Sequence, residues 1–289
     1  MKEITILSGK GGAGKTSVAA AIASLAKNTV FCDNDVDAAD LHLIFNPEIK
    51  ETYDFDSGTV AVINPEICTN CGLCEEHCHF DAIHSNSSEQ LEVNPLQCEG
   101  CRLCERICPE NAIESIHNLN NQWFVSDTRF GTLVHAKMGP GEENSGKLVT
   151  QVRQKAREIA TKTNAEFIIN DGPPGIGCSA IASVTGADAV LLVIEPTLSG
   201  LHDAQRLVEL VNTFNIPLLA VINKFDINKE ITRKVEDYLI KNNIPLIGNL
   251  PFDTKMVESM VHGKTIVEYV PEENISKEFY SIWDKILQN

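Results

Sequence analysis

Residues 9–16 read "GKGGAGKT", which fits the pattern G-x-x-x-x-G-K-[ST]. Such a string works only where a strand runs into it and a helix runs out of it. The flanks supply both. "EITILS" (3–8) reads as a short apolar strand, "GKTSVAAAIASLAK" (14–27) as an Ala-rich helix, and "TVFCDND" (29–35) as a second strand ending in acids. A βαβ opening of this kind commits the chain to a parallel sheet covered by helices. The glycines let backbone N–H groups face phosphate oxygens, and the helix N-terminus favours negative charge there. Gly9, Gly11, Gly12, Ala13, Gly14, Lys15, Thr16 and Ser17 are therefore the expected phosphate-binding set. Lys15 is placed to reach the β- and γ-phosphates and Thr16 to coordinate Mg²⁺.

The same rhythm continues beyond the middle of the chain. "QWFVSDTRFGTLVHAKM" (122–138) reads as two strands around a turn, and residues 146–163 as a helix. "EFIINDGPPG" (166–175), "DAVLLVIEP" (188–196), "IPLLAVINK" (216–224) and "IPLIGNLPF" (244–252) are near-continuous apolar runs, as strands covered on both faces require. Helical stretches alternate with them at 200–214, 228–242 and 253–262. The expected class is α/β, a doubly wound and mostly parallel sheet. A formal net charge of −16 argues against nucleic acid or an anionic membrane as the main partner. No apolar run is long enough to span a bilayer and no signal peptide is visible, so a cytoplasmic protein is expected.

The loop carries a second, earlier lysine, Lys10. "GKGGAGKT" resembles the deviant Walker A motif of the MinD/Mrp/nitrogenase-iron-protein family of P-loop ATPases. That resemblance implies an ATP-switched dimer, with Lys10 reaching across the interface to the partner's nucleotide. It assigns Asp35 of "DNDVD" (33–37) to orient the attacking water. Asp33, at the strand end, suits an outer-shell Mg²⁺ contact, and Asp37 reads as solvated or structural. Asp171 in "IINDGPPG" ends an apolar strand, where a Walker B acid belongs, and joins Thr16 and Asp33 as a Mg²⁺ candidate. "INKFD" (222–226) looks like the guanine-reading motif N-K-x-D. In the family the matching residue, here Asn223, contacts adenine, and the "PFD" loop with Pro251 and Asp253 closes over the base. ATP and ADP are the nucleotides implied.

The α/β pattern breaks between about Val60 and Ser115. Eight of the ten cysteines lie between Cys68 and Cys108. In the reducing cytosol such a cluster reads as metal ligands rather than disulfides. "INPEICTNCGLCEEHCHFDAI" (63–83) matches "VNPLQCEGCRLCERICPENAI" (93–113) at an offset of thirty residues, which reads as a duplication. Each copy has too little apolar material to form a core alone. Zinc would use two C-x-x-C pairs per ion. Two full runs of C-x-x-C-x-x-C-x-x-x-C instead match iron–sulfur spacing. Along its whole length the segment resembles the two-cluster bacterial ferredoxin domain, with its α+β fold. By that resemblance Cys68, Cys71, Cys74 and Cys108 hold one [4Fe–4S] cluster, and Cys98, Cys101, Cys104 and Cys78 hold the second. One departure is His79, where proline is usual; His77 and His79 read as an exposed pair. Cys32 is expected in the core. Cys178 lies seven residues after Asp171, the spacing of a subunit-bridging cluster ligand in the nitrogenase iron protein. The other bridging cysteine would fall near 139–147, where Ser145 is the nearest candidate, so Cys178 is expected to be a packing residue.

Near the end, Ile275, Phe279, Ile282, Trp283 and Ile286 share one helical face. With only Lys277 and Lys285 among several acids, this helix is expected to dock on its own domain rather than on a membrane. The predicted organisation is an ATPase domain from 1–58 and 118–289, with a ferredoxin-like insert at 59–117. The predicted function is an ATPase, slow without its partner, whose ATP-switched dimer gates electron transfer through two [4Fe–4S] clusters to a redox partner. Two alternatives stand beside it: an ATPase that assembles or matures iron–sulfur or metal cofactors for a client protein, and a MinD-like spatial regulator with a redox sensor. The subunit across the nucleotide is either a second copy or a related ATPase.

Overall fold

The computed structural model describes residues 1–119, 121–139 and 145–288. In chain order the elements begin β1 (Lys2–Ser8), α1 (Lys15–Ala23), β2 (Thr29–Asp33), α2 (Leu41–Phe45), β3 (Glu48–Phe55) and β4 (Thr59–Ile63). There follow α3 (Leu73–Glu76), β5 (Ile83–Ser85), β6 (Leu91–Val93), α4 (Leu103–Ile107), β7 (Ile113–His117), β8 (Asn121–Thr128) and β9 (Gly131–Lys137). The remainder is α5 (Ser145–Thr163), β10 (Phe167–Pro174), α6 (Cys178–Val184), β11 (Ala189–Ile194), α7 (Leu198–Asn212), β12 (Leu218–Asn223), α8 (Lys229–Lys241), β13 (Leu246–Leu250), α9 (Lys255–Val261), α10 (Ile266–Tyr269) and α11 (Asn274–Gln288). Two compact units result. The first comprises 1–52, 123–136 and the chain from 145 onward; the second comprises 53–122 with the stretch that begins at 137.

The first unit carries a nine-stranded sheet in the order β13-β12-β11-β1-β10-β2-β9-β8-β3. The pairings from β13 through to β9 are all parallel. This is the doubly wound α/β architecture, with β1 and β10 at its centre. Side chains alternate between two cores. Leu191, Val193, Leu219 and Val221 enter one core, with α1, α2, α10 and α11; Val190, Leu192, Leu218 and Ala220 enter the other, with α6, α7 and α8. This two-sided burial explains why the strands read as continuous apolar runs. The edge strand β3 escaped the sequence reading because "EIKETYDF" is charged and mostly exposed; edge strands tolerate charge because it discourages pairing with another chain.

Helix α11 docks as its pattern predicted. Ile275, Phe279, Ile282, Trp283 and Ile286 are all buried in the α1-side core, and Trp283 meets Phe167 edge-on at 5.3 Å. No helix among the described residues is long and apolar enough to cross a membrane.

The second unit consists of two interlocked copies of one small motif. β4 pairs antiparallel with β7, and β5 with β6. The first strand of each copy thus pairs with the last strand of the other. The locks are symmetric: Asn64 N–H donates to Ala112 O at 2.8 Å and Asn94 N–H to Ala82 O at 2.7 Å. One small buried cluster holds Ala61, Cys74, Ile83, Leu91 and Ile113, with five further cysteines packed against them.

Phe279 is the largest of the side chains that α11 buries completely in the first unit. Phe279→Ala should lower stability by about 3–5 kcal/mol through lost transfer energy and a residual cavity. Chemical denaturation of the full chain would read this, and a loss below about 1 kcal/mol would mean that α11 is not docked.

Candidate functional site

The phosphate loop fills the turn from β1 to α1, at the C-terminal ends of the parallel strands, where such sheets place their ligands. Gly12 and Gly14 adopt φ of 80° and 88°, a left-handed conformation that favours glycine. Gly14 has a second constraint, because a Cβ there would collide with the Asn223 amide. Residues Gly11 to Ser17 line a cavity of ≈ 600 Å³ together with Asp35, Asn223, Pro251 and Asp253.

Lys15 occupies the centre of the charge arrangement. Its residue is 6% exposed, and its Nζ lies 3.1 Å from Asp171 Oδ1 and 3.2 Å from Asp35 Oδ2. Burial alone would lower its pKa, but the charges of Asp171, Asp35 and Asp33 outweigh burial and raise it. One ammonium group therefore faces three carboxylates. Asp33 is fully buried and held well above the usual carboxylate range, first by burial and then by the charge of Asp171. Its two oxygens accept N–H groups from Asp35 and Leu41, both at 3.2 Å, so it fastens the segment that leads into α2. Asp35 is raised as well, chiefly by burial. Asp37 is exposed at the cavity rim.

The donor set fits Mg²⁺. Carboxylate oxygens and a hydroxyl suit a hard cation, and Asp171 Oδ2 is buried without a hydrogen-bond partner. Thr16 Oγ1 lies 3.4 Å from Lys15 Nζ, within the same group.

Asn223 lies against the loop: its Nδ2 donates to Ala13 O at 2.8 Å. Lys224, which follows it, donates to Gly12 O at 3.3 Å. Asp226 accepts the Phe252 N–H at 2.7 Å and so ties the β12 end to the Pro251–Asp253 loop. Met256, Val257 and Met260 of α9 line the apolar end of the cavity, and Ser17 Oγ donates to Met260 Sδ at 3.4 Å. Lys224, Asp226 and these methionines were not singled out from the sequence. The first two stood inside the quoted "INKFD", and Met256 and Met260 are spaced i,i+4 on one helical face.

Lys10 is not brought into the cavity. Its Nζ is bound to Glu195 Oε2 at 3.2 Å and Thr197 Oγ1 at 3.1 Å. Gly9, beside it, packs so closely on Asp203 of α7 that a Cβ would clash with backbone.

In the second unit the interlocked strands gather the cysteines in two groups. Cys68, Cys71, Cys74 and Cys108 line one small cavity. Cys98, Cys101, Cys104 and Cys78 line another, which Cys74 also borders. Each group joins three cysteines of one run to the fourth of the other, because the strand after that fourth cysteine pairs with the other copy. The copies also match in backbone donors: Ala82 N–H reaches Cys78 Sγ at 3.4 Å, and Ala112 N–H reaches Cys108 Sγ at 3.3 Å. Burial pushes the Cys104 thiol up to about 11. Among the described residues no three Cys, His, Asp or Glu side chains gather closely enough to hold a single metal ion. The eight cysteines instead line two small cavities.

His77 and His79 are exposed, and His77 Nδ1 lies 3.0 Å from Leu73 O. Cys32 is fully buried, as expected. Cys178 differs from expectation: it is exposed at the first position of α6 rather than packed. The turn of the "DGPPG" loop leaves only Ala180, Ser183 and Val184 of that helix facing inward. Ser145 opens α5, and positions 140–144 of the 139–147 stretch lie outside the described residues.

Residues 4–266 match the model of the CobQ/CobB/MinD/ParA nucleotide binding domain. An uncharacterized protein of Methanocaldococcus jannaschii, MJ0578, is 38% identical over 254 residues, covering 87% of this chain and 84% of its own. The septum site-determining protein MinD of Bacillus subtilis is 24% identical over 91% of this chain and 81% of its own. The structure of MinD complexed with Mg-ADP from Pyrococcus horikoshii superposes with a TM-score of 0.59 at 18% identity, covering 99% of this chain and 95% of that one.

The carboxylates around Lys15 make a pH-dependent prediction. Lys15→Met leaves Asp33, Asp35 and Asp171 without their cation. Asp33 and Asp35, whose folded pKa is raised, contribute stability below their unfolded pKa and lose it as pH rises through the folded value. The nucleotide-free variant should therefore fall further below wild type in melting temperature at about pH 8 than at about pH 5. Equal losses at both values would mean that the three acids do not repel one another.

Proposed function

The chain belongs to the CobQ/CobB/MinD/ParA family of nucleotide-binding domains, whose MinD and ParA members are ATPases, and from that premise we propose that it couples an ATP switch to two iron–sulfur clusters. In this reading two subunits pair across ATP, and the paired state gates electron transfer to a redox partner. The observation that carries the redox half is the crossed grouping of eight cysteines around two adjoining cavities.

On the nucleotide side, the loop N–H groups bind phosphate oxygens and the α1 N-terminus supplies partial positive charge. Lys15 moves from Asp35 and Asp171 to the β- and γ-phosphates. Thr16 and Asp171, with Asp33 behind them, would hold Mg²⁺, which supplies charge neutralisation at the phosphates when bound. Asp35, released from Lys15, orients water towards the γ-phosphate. Lys10 serves the partner's nucleotide. Asn223 and the Pro251–Asp253 loop bound the base, and the apolar flank of Met256 and Met260 suits the face of a purine.

On the cluster side, Cys68, Cys71, Cys74 and Cys108 would hold one [4Fe–4S] cluster, and Cys98, Cys101, Cys104 and Cys78 the other. One-electron storage is what such clusters supply. The domain reading is an ATPase from 1–58 and 118–289 around an insert at 59–117. The insert follows the Asp33–Asp37 segment in sequence, so a nucleotide-driven change there can be felt by the chain that leads to the cysteines.

A second reading, a MinD-like spatial regulator with a redox sensor, is favoured by the alignment with MinD over most of the chain. Against its membrane-seeking form stands α11, whose apolar face is already buried in the core.

Protein prepared without oxygen should contain about eight irons and eight acid-labile sulfides per chain. Cys108→Ser should remove one cluster and Cys78→Ser the other, each leaving about four irons. One or two zinc ions in place of iron would overturn the redox reading. Redox titration monitored by EPR, with ADP and then with a slowly hydrolysed ATP analogue, tests the coupling: a shifted cluster potential supports gating, and superimposable curves refute it.

A further inference from the structure

The thirty-residue repeat of the second unit is broken at one backbone position where most side chains are strained. Three matched pairs adopt a left-handed φ: Asn70 (55°) with Gly100 (62°), Asp81 (49°) with Asn111 (53°), and Gly72 (78°) with Arg102 (62°). Glycine, asparagine and aspartate enter this region readily, whereas arginine there is uncommon. Arg102 lies between Cys101 and Cys104, just before α4, and borders the cavity that Cys98, Cys101, Cys104 and Cys78 line. Its guanidinium is held in place. Nε donates to Glu105 Oε2 at 2.9 Å and Nη2 to Glu105 Oε1 at 3.2 Å, while Ser115 Oγ of β7 donates to the same carboxylate at 2.7 Å. The first copy has the counterparts Glu75 and Ser85, but glycine at position 72. A strained position kept by a two-pronged ion pair points to a use for the charge.

The surroundings of the two cysteine sets differ in charge. Stretches 66–76 and 107–111, which hold Cys68, Cys71, Cys74 and Cys108, carry four acids and neither lysine nor arginine. Stretches 96–106 and 77–81, which hold Cys98, Cys101, Cys104 and Cys78, carry three acids and two arginines, Arg102 and Arg106. Arg106 stands where the first copy has Glu76. An added electron is added negative charge, so nearby cations favour the reduced form of a cluster and nearby acids oppose it. We propose that Arg102 makes the two cluster sites unequal, so that an electron rests at the Cys78, Cys98, Cys101 and Cys104 site and passage from the other site runs one way. The proposal rests on the iron–sulfur reading given above. Its balance is one electron with no bond made or broken. A low-potential donor is oxidised as it reduces the Cys68 site, which is reoxidised as the Arg102 side is reduced. The guanidinium is half-exposed and paired with Glu105, so water and the carboxylate both weaken its effect. Arg102 should bias the distribution of one electron between the sites by about two- to fivefold, or about 20–40 mV for a one-electron couple.

The test uses the full chain prepared without oxygen, titrated with dithionite as the electron donor and followed by EPR, with iron analysis of every variant. The wild-type chain should show two one-electron waves. Arg102→Gly restores the residue of the first copy and should lower the upper wave alone by about 20–40 mV. Gly72→Arg gives the first site the same cation, with open space around its Cβ and Glu75 three residues on, and should raise the lower wave alone by a similar amount. Arg102→Lys keeps the charge without the two-pronged geometry and should move the upper wave less than half as far as Arg102→Gly. An upper wave unmoved by Arg102→Gly, or both waves moved equally, would overturn the proposal. So would a Lys variant that shifts as far as the Gly variant. Loss of iron from Arg102→Gly would make Arg102 a purely structural residue and overturn it too. A wild-type chain that holds zinc or no iron would overturn the iron–sulfur reading itself, an outcome distinct from eight irons whose potentials ignore Arg102.

Discussion

The nucleotide unit depends on a charge imbalance at the ends of its central strands. β1, β2 and β10 are adjacent and parallel, so their C-terminal ends bring Lys15, Asp33, Asp35 and Asp171 into one buried space. A single lysine opposes three acids, and one Asp171 oxygen lacks any partner. Burying charges without full pairing is unfavourable, so folding alone does not explain the arrangement. A polyanion carrying a divalent cation does, because the cation satisfies the acids and the phosphates satisfy the lysine. The site is built for a ligand that exchanges partners with it.

The second unit solves a different problem. Its apolar residues are too few for an independent core, and five of the side chains packed on that core are cysteines. Interlocking the two copies concentrates what apolar surface there is and places each fourth cysteine beside the other run. Metal–sulfur bonds would then supply the stability that side-chain burial cannot. Duplication matters here because equal halves give equal locks, as the paired Asn64–Ala112 and Asn94–Ala82 hydrogen bonds show.

The two lysines of the phosphate loop have different surroundings. Lys15 is buried at the strand ends, whereas Lys10 sits outside the cavity on the β11–α7 junction. The same short loop thus turns one ammonium group into the cavity and ties the other outside it to Glu195 and Thr197. Asn223, Lys224 and Glu195 brace the loop from behind, which lets its glycines keep backbone angles that other residues would resist.

Much of this was legible in the sequence because the relevant signals are local. The glycine pattern between a strand and a helix, the continuous apolar runs of a two-sided sheet, the apolar stripe from Ile275 to Ile286 and the thirty-residue repeat all depend on neighbours a few positions apart. The strand β3 was not legible, since a charged edge strand lacks the apolar pattern that marks buried ones. The exposure of Cys178 was not legible either, because a lone cysteine in an apolar stretch reads as core until the turn of its helix is known. Glu195 gave no sign of its position beside Lys10, and Asp226 none of its hold on the Phe252 N–H. Those contacts join residues 185 and 26 positions apart in the chain. The sequence by itself determined which chemical groups are present and which short elements carry them. Only the tertiary structure decided partners such as Glu195 for Lys10 and the Phe252 N–H for Asp226, because parallel strand order brings distant residues together, and local pattern holds no record of that distance.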